Sequence, residues 1–116
     1  MTKELSEIAL AFAREVLGWQ APHISPNKKR PDVFSYRDCK LEGTLYYTHQ
    51  ANVLAFVRAW VNTMPGWYVQ ITNIEEGWSV LVSGQDDDGV ARGSDLCEVM
   101  MRACLEAHRK IGSKPE

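Results

Sequence analysis

Hydrophobic and polar positions along this chain follow two periods. Leu5, Ile8, Ala9, Phe12 and Val16 recur at helical spacing and predict a first helix over residues 2–17. Gly18 is placed to end it, with Trp19 folding back onto its last turn. Val53, Leu54, Val57, Trp60, Val61 and Met64 predict a second helix over 49–63, with Thr48 as its N-cap and Pro65-Gly66 as its stop. Leu96, Val99, Met100, Ala103, Cys104, Ala107 and Ile111 predict a third, capped by Ser94 and ended by Gly112. Between the last two helices the period changes. Residues 67–74 and 78–83 are rich in aromatic and β-branched side chains and flank Glu75-Glu76-Gly77, which predicts a β-hairpin.

The register of that hairpin decides the architecture. If Ile74 pairs with Trp78, one face carries Ile74, Trp78, Val80 and Val82, and the other carries Trp67, Val69, Ile71 and Leu81. Large apolar residues on both faces call for cover on both sides. A bulge at Gly77 would shift this register. The expected fold class is α/β in the α+β sense: a three-layer α-β-α sandwich, three main helices around a small, mainly antiparallel sheet. It spans 1–112 as a single domain, with 113–116 as a frayed tail. Residues 84–93 read as a polar loop. Residues 20–43 are the least legible part: Pro22, Pro26 and Pro31 exclude a long helix there. Val33 to Tyr36 reads as a short strand, and Leu45 to Tyr47 as another strand or an extended lead into the second helix.

Composition narrows the function classes. With 116 residues the chain is long enough for one self-sufficient core. Its net charge of −2 is too small for a phosphate-backbone binder or for an acidic DNA mimic, so no nucleic acid is expected as a partner. No run approaches the ~18 apolar residues of a membrane span, and no secretory leader pattern is present. No membrane partner and a cytoplasmic location are therefore expected. Cys39, Cys97 and Cys104 are odd in number and irregular in spacing, which predicts free thiols.

Candidate chemistry is sparse. In Asp86-Asp87-Asp88-Gly89, setting Gly89 at the sixth place of a calcium loop puts Gly84 first and Asp95 at the twelfth, where a glutamate is needed. An acidic turn is the simpler reading. Cys104 and His108 share a helical face with Cys97 two turns earlier, which is half a zinc site at most; His23, His49 and Cys39 would have to complete it. No nucleophile elbow, zinc-protease helix or phosphate-cradling glycine motif occurs. No catalytic residue, metal or cofactor is assigned.

One family resemblance stands beside this reading. Tyr46-Tyr47-Thr48 before an alanine-containing helix, Gly66-Trp67 leading into a strand, and Gly77-Trp78-Ser79-Val80 opening the next resemble the phage ABA sandwich domain family. The closing helix with Ala103-Cys104-Leu105, and Leu17-Gly18-Trp19 after the first helix, fit as well. The chain departs from the family in having His49 where an acidic residue often follows the threonine. The resemblance implies an α-β-α sandwich and a phage or prophage setting. It assigns no activity.

The expectation is a non-enzymatic phage accessory protein in the bacterial cytoplasm. It would bind a host or phage protein, with inhibition of a bacterial defence system as one such role and a homodimer as a further option. Lys28, Lys29, Arg30, Phe34 and Tyr36 from 20–43, with Asp86, Asp87 and Asp88 from 84–93, are the candidate binding residues. The alternative is a small-molecule-binding protein or minor enzyme with a pocket lined by residues 20–43.

Overall fold

The computed structural model describes residues 5–25, 31–84 and 87–113. Lys28, Lys29, Arg30 and Asp86 lie outside them, as does the tail from 114. The architecture is the expected mixed α/β sandwich of helices and antiparallel sheet. Helix α1 (Leu5–Ala11) runs on as a π-helical turn, Phe12–Val16. Strands β1 (His23–Ile24), β2 (Asp32–Arg37) and β3 (Lys40–Tyr46) form one antiparallel sheet in that order. Helix α2 (Gln50–Val61) leads to a second antiparallel sheet of β4 (Tyr68–Ile74), β5 (Gly77–Gly84) and β6 (Asp87–Gly93). Helix α3 (Leu96–Ser113) follows.

The helix ends show local chemistry at work. Gly18 adopts φ +70° just after the π-helical turn, the left-handed conformation that a glycine takes without steric cost. The N-cap of α3 is Asp95, not Ser94: its carboxylate accepts the Cys97 N–H at 3.0 Å and the Glu98 N–H at 3.5 Å. The N-cap of α2 is His49, not Thr48, and its side chain makes no capping bond. Asn52 instead accepts the Tyr46 N–H at 2.8 Å, tying the first turn of α2 to the end of β3.

The second sheet departs from expectation in two ways. First, residues 87–93 are a strand, not a loop. Gly89, Ala91 and Gly93 alternate along β6 and face α3, and a methyl group on Gly89 would collide with the Ala103 carbonyl and the Ala107 amide. Small residues let the helix backbone lie directly on the strand, which explains why a glycine-rich segment is paired and covered. Second, the β4–β5 ladder is one residue out of the expected register. Ile74 pairs with Gly77 across a two-residue turn, Glu75-Glu76, so Ile71 faces Val80 and Val69 faces Val82. A slip of one residue reverses every side chain. Val69, Ile71, Trp78, Val80 and Val82 therefore share the inner face. The outer face carries Gln70, Thr72, Ser79 and Ser83 among the apolar Leu81 and Val90, and it is solvated, with Tyr68 51% exposed.

Helix α3 is the centre of the core. It lies against β5 and β6 and also meets α1, the π-helical turn and α2. From Leu96 to Ala107 only Glu98, Arg102 and Glu106 keep access to solvent, a single stripe at four-residue spacing. Met100, Met101, Val99 and Cys104 are fully buried with Phe12, Val33, Leu45, Val53, Val57, Val80 and Val82 in one cluster. Each large side chain in it contributes about 1.5–3 kcal/mol by leaving water. Helix α1 reaches β2, and α2 reaches β3 and β4, so the first sheet is joined to the same core.

Candidate functional site

The described residues of the 20–43 segment are not an irregular excursion. They build most of the first sheet, and their tip is a two-residue hairpin at Asp38-Cys39. Both residues have positive φ, +52° and +65°, as a type I′ turn requires. That turn matches the right-handed twist of the strands it joins, at the cost of holding two side-chain-bearing residues in the left-handed region.

The two faces of this sheet differ in chemistry. Inward, Val33, Leu45 and Ser35 are buried, and the Trp19 ring lies flush on Gly43, where a side chain would collide with it. Trp19 in turn meets Phe56 of α2 edge-on at 5.6 Å. Ser35 donates its hydroxyl to the Gln20 carbonyl at 2.5 Å, fastening β2 to the segment that follows the π-helical turn. Outward, rings line up. His23 and Phe34 are 5.8 Å apart, and Phe34 and Tyr36 are 5.7 Å apart at 74°, an edge-to-face contact.

A bulge shapes this outer face. Ser35 pairs with Gly43 but Tyr36 pairs with Leu41, which leaves Glu42 as the extra residue on β3. The bulge sets Leu41 beside Tyr36, and the two are 57% and 54% exposed. It also turns the Glu42 carboxylate toward Arg37 at 2.9 Å and the Ser35 hydroxyl at 3.2 Å. Arg37 is thus neutralised beside the aromatic row. Tyr46, 40% exposed, extends the apolar surface toward α2, its ring 5.8 Å from that of His49.

Phe34 and Tyr36, expected from the sequence, are brought together here. Asp87 and Asp88 are not part of the same sheet; they open β6, where Asp88 accepts the Ser83 hydroxyl at 2.6 Å. His23 and Leu41 were missed as members of the face. Plain alternation over 40–46 would put Leu41 on the inner side with Leu45, and only the bulge at Glu42 brings it to the outer face.

Other candidate groups are arranged for packing. Burial and the nearby Asp95 carboxylate push the Cys97 thiol up to about 11, and burial pushes Cys104 up further, so neither is a nucleophile near neutral pH. His108 packs its ring against Trp60 at 6.3 Å. Among the described residues no group of three or more His, Cys, Asp or Glu side chains is gathered to hold a metal ion. Gly84 pairs with Asp87 at the end of the β5–β6 ladder, a hairpin geometry in place of a calcium loop. A shallow depression of about 250 Å³ lies on the outer face of the second sheet, lined by Gln70, Thr72, Ser79, Leu81, Val90 and Arg92. It is not formed by residues 20–43. No helix among the described residues is long and apolar enough to cross a membrane. Comparison of the chain with protein-family models, with curated proteins and with solved structures finds no match.

Proposed function

We propose that this protein works by binding another protein through the outer face of the β2–β3 hairpin, without catalysing a reaction. The observation that carries this reading is the row His23, Phe34, Tyr36 with Leu41 at its end, which stays at the surface of a chain that has a complete core elsewhere. Rigid aromatic side chains lose little freedom on docking and supply large contact areas, which is why such residues dominate binding energy at interfaces. The charges around the row, Arg37 and Lys40 with Glu42, suit a polar rim that selects a partner and sets its approach.

The phage resemblance suggests the setting: an accessory protein in the bacterial cytoplasm, its partner a host or phage protein, and a component of a defence system among the targets such a protein would block. The test is affinity capture from a bacterial host with the parent chain and with a Phe34→Ala, Tyr36→Ala, Leu41→Ser triple variant of unchanged circular dichroism. The captured partner should then be titrated against both. Truncating two aromatic anchors should weaken binding by about a hundredfold. Equal affinity for both chains would move the interface off this face.

A further inference from the structure

Each sheet ends in two edge strands, and three of the four are blunted. β1 is two residues long. β3 carries Lys40 and Glu42 and is bent by the bulge opposite Ser35 and Tyr36. β6 carries Asp88 and Arg92 and two glycines. Short length, charge and bulges are the means by which natural sheets keep their edges from pairing with other chains. β4 has none of them. Its residues, Tyr68-Val69-Gln70-Ile71-Thr72-Asn73-Ile74, include no charge, no proline and no glycine, and its ladder with β5 is unbroken. Tyr68, Val69, Ile71 and Ile74 are all at least partly exposed. Among the described residues β4 pairs only with β5, and its other side makes no backbone hydrogen bond to any of them.

We propose that β4 joins a second copy of this chain, antiparallel about a two-fold axis at Ile71, so that two three-stranded sheets become one of six strands. The residues themselves favour a second copy over an unlike partner. An edge without charge offers nothing for a charged strand to complement, whereas a two-fold axis at Ile71 matches the edge with itself over its full length. Tyr68 then meets Ile74 of the second copy, Gln70 meets Thr72, Val69 meets Asn73, and Ile71 meets Ile71. On the outer face this sets an aromatic ring against a β-branched side chain and an amide beside a hydroxyl, both favourable cross-strand pairs. On the inner face it covers the partly exposed Ile71. Assembly stops at two copies, because the six-stranded sheet ends in β6 on both sides and β6 is blunted.

This interface is separate from the β2–β3 face and does not depend on it. The test uses two double variants of the full chain at Gln70 and Thr72, which are exposed and point outward. Gln70→Lys with Thr72→Lys sets lysine against lysine at both symmetric contacts. Gln70→Lys with Thr72→Glu sets lysine against glutamate at both. Sedimentation equilibrium over a concentration series should show a monomer–dimer equilibrium for the parent chain. The first variant should weaken the dimer by about tenfold, and the second should stay within about threefold of the parent. A parent that is monomeric throughout, or species that keep growing past the dimer, would overturn the proposal. So would a lysine–lysine variant that dimerises as the parent does, or a lysine–glutamate variant as weak as the lysine–lysine one.

Discussion

Ile71 stands directly opposite Val80 in the β4–β5 ladder, and both side chains point toward the helices. Leu81, the next residue, points the other way, into the solvated depression. Neighbouring positions on one strand should therefore respond to charge very differently. Val80→Asp buries an unpaired carboxylate in the core and should cost about 4 kcal/mol or more, most of the stability of a domain at the low end of the usual range of about 5–15 kcal/mol. Ile71→Asp, at a half-buried edge position, should cost about 2 kcal/mol. Leu81→Asp should stay within about 1 kcal/mol of the parent. Urea denaturation orders the three. Equal damage from Val80→Asp and Leu81→Asp would mean that the outer face is covered.

The contact between β6 and α3 makes a second ordering. At Gly89 an added methyl meets helix backbone, which cannot yield cheaply, so Gly89→Ala should destabilise by about 2–4 kcal/mol. At Gly93 the nearest atom to an added methyl is the Val99 Cγ2, at 3.1 Å, and a side chain can give way. Gly93→Ala also restricts the unfolded chain, so it should be close to neutral. Midpoints of thermal unfolding for the two variants test this, and a Gly89→Ala protein as stable as the parent would contradict the direct seating of α3 on β6.

At the tip of β2–β3, Cys39 holds φ +65°. Cys39→Gly relieves the left-handed strain and gives up some unfolded-state restriction. The balance should raise stability by about 0.5–1 kcal/mol, because the second place of a type I′ turn favours glycine. The measurement is the shift in urea midpoint. Destabilisation would show that the Cys39 side chain has a packing role that its exposure conceals.

Thiol chemistry separates the three cysteines. Cys39 is exposed, while Cys97 and Cys104 are buried with their thiols held protonated well above neutral pH. A chromogenic disulfide reagent at mildly alkaline pH should react quickly with one thiol of the native protein and with all three after denaturation without reductant. A lower count in denaturant would reveal a disulfide.

What could be read from the chain followed from local periodicity. The helices announced themselves through Leu5 to Val16, Val53 to Val61 and Leu96 to Ala107, and the β4–β5 hairpin through its branched and aromatic residues. β6 was hidden because Asp-Asp-Gly-Val-Ala-Arg-Gly has the composition of a loop. Its strand is imposed by β5 on one side and by α3, which needs small residues beneath it. The hairpin register turned on whether Gly77 belonged to the turn or to the ladder, a one-residue choice that composition leaves open. At the candidate site Phe34 and Tyr36 stood out as aromatic residues in a strand-like run. Their neighbours His23 and Leu41 come from other strands, and a bulge at Glu42 chooses which residue of β3 lies beside Tyr36. No local pattern encodes that pairing.

The central position of α3 has a consequence for how this protein is made. Arg109 near the end of α3 clasps Glu15 through two bonds of 3.0 Å, a contact between residues 94 positions apart. Phe12, Val57 and Val82 likewise share a core with a helix that follows them all in the chain. A ribosome adding about 5–20 residues per second needs a second or more to complete α3 after β6 has been synthesised. For that interval the nascent chain has its hydrophobic surfaces prepared and their common partner missing, with the uncharged β4 edge among the parts on display. Synthesis on crowded polysomes is thus the moment at which this architecture is most open to association with its own neighbours.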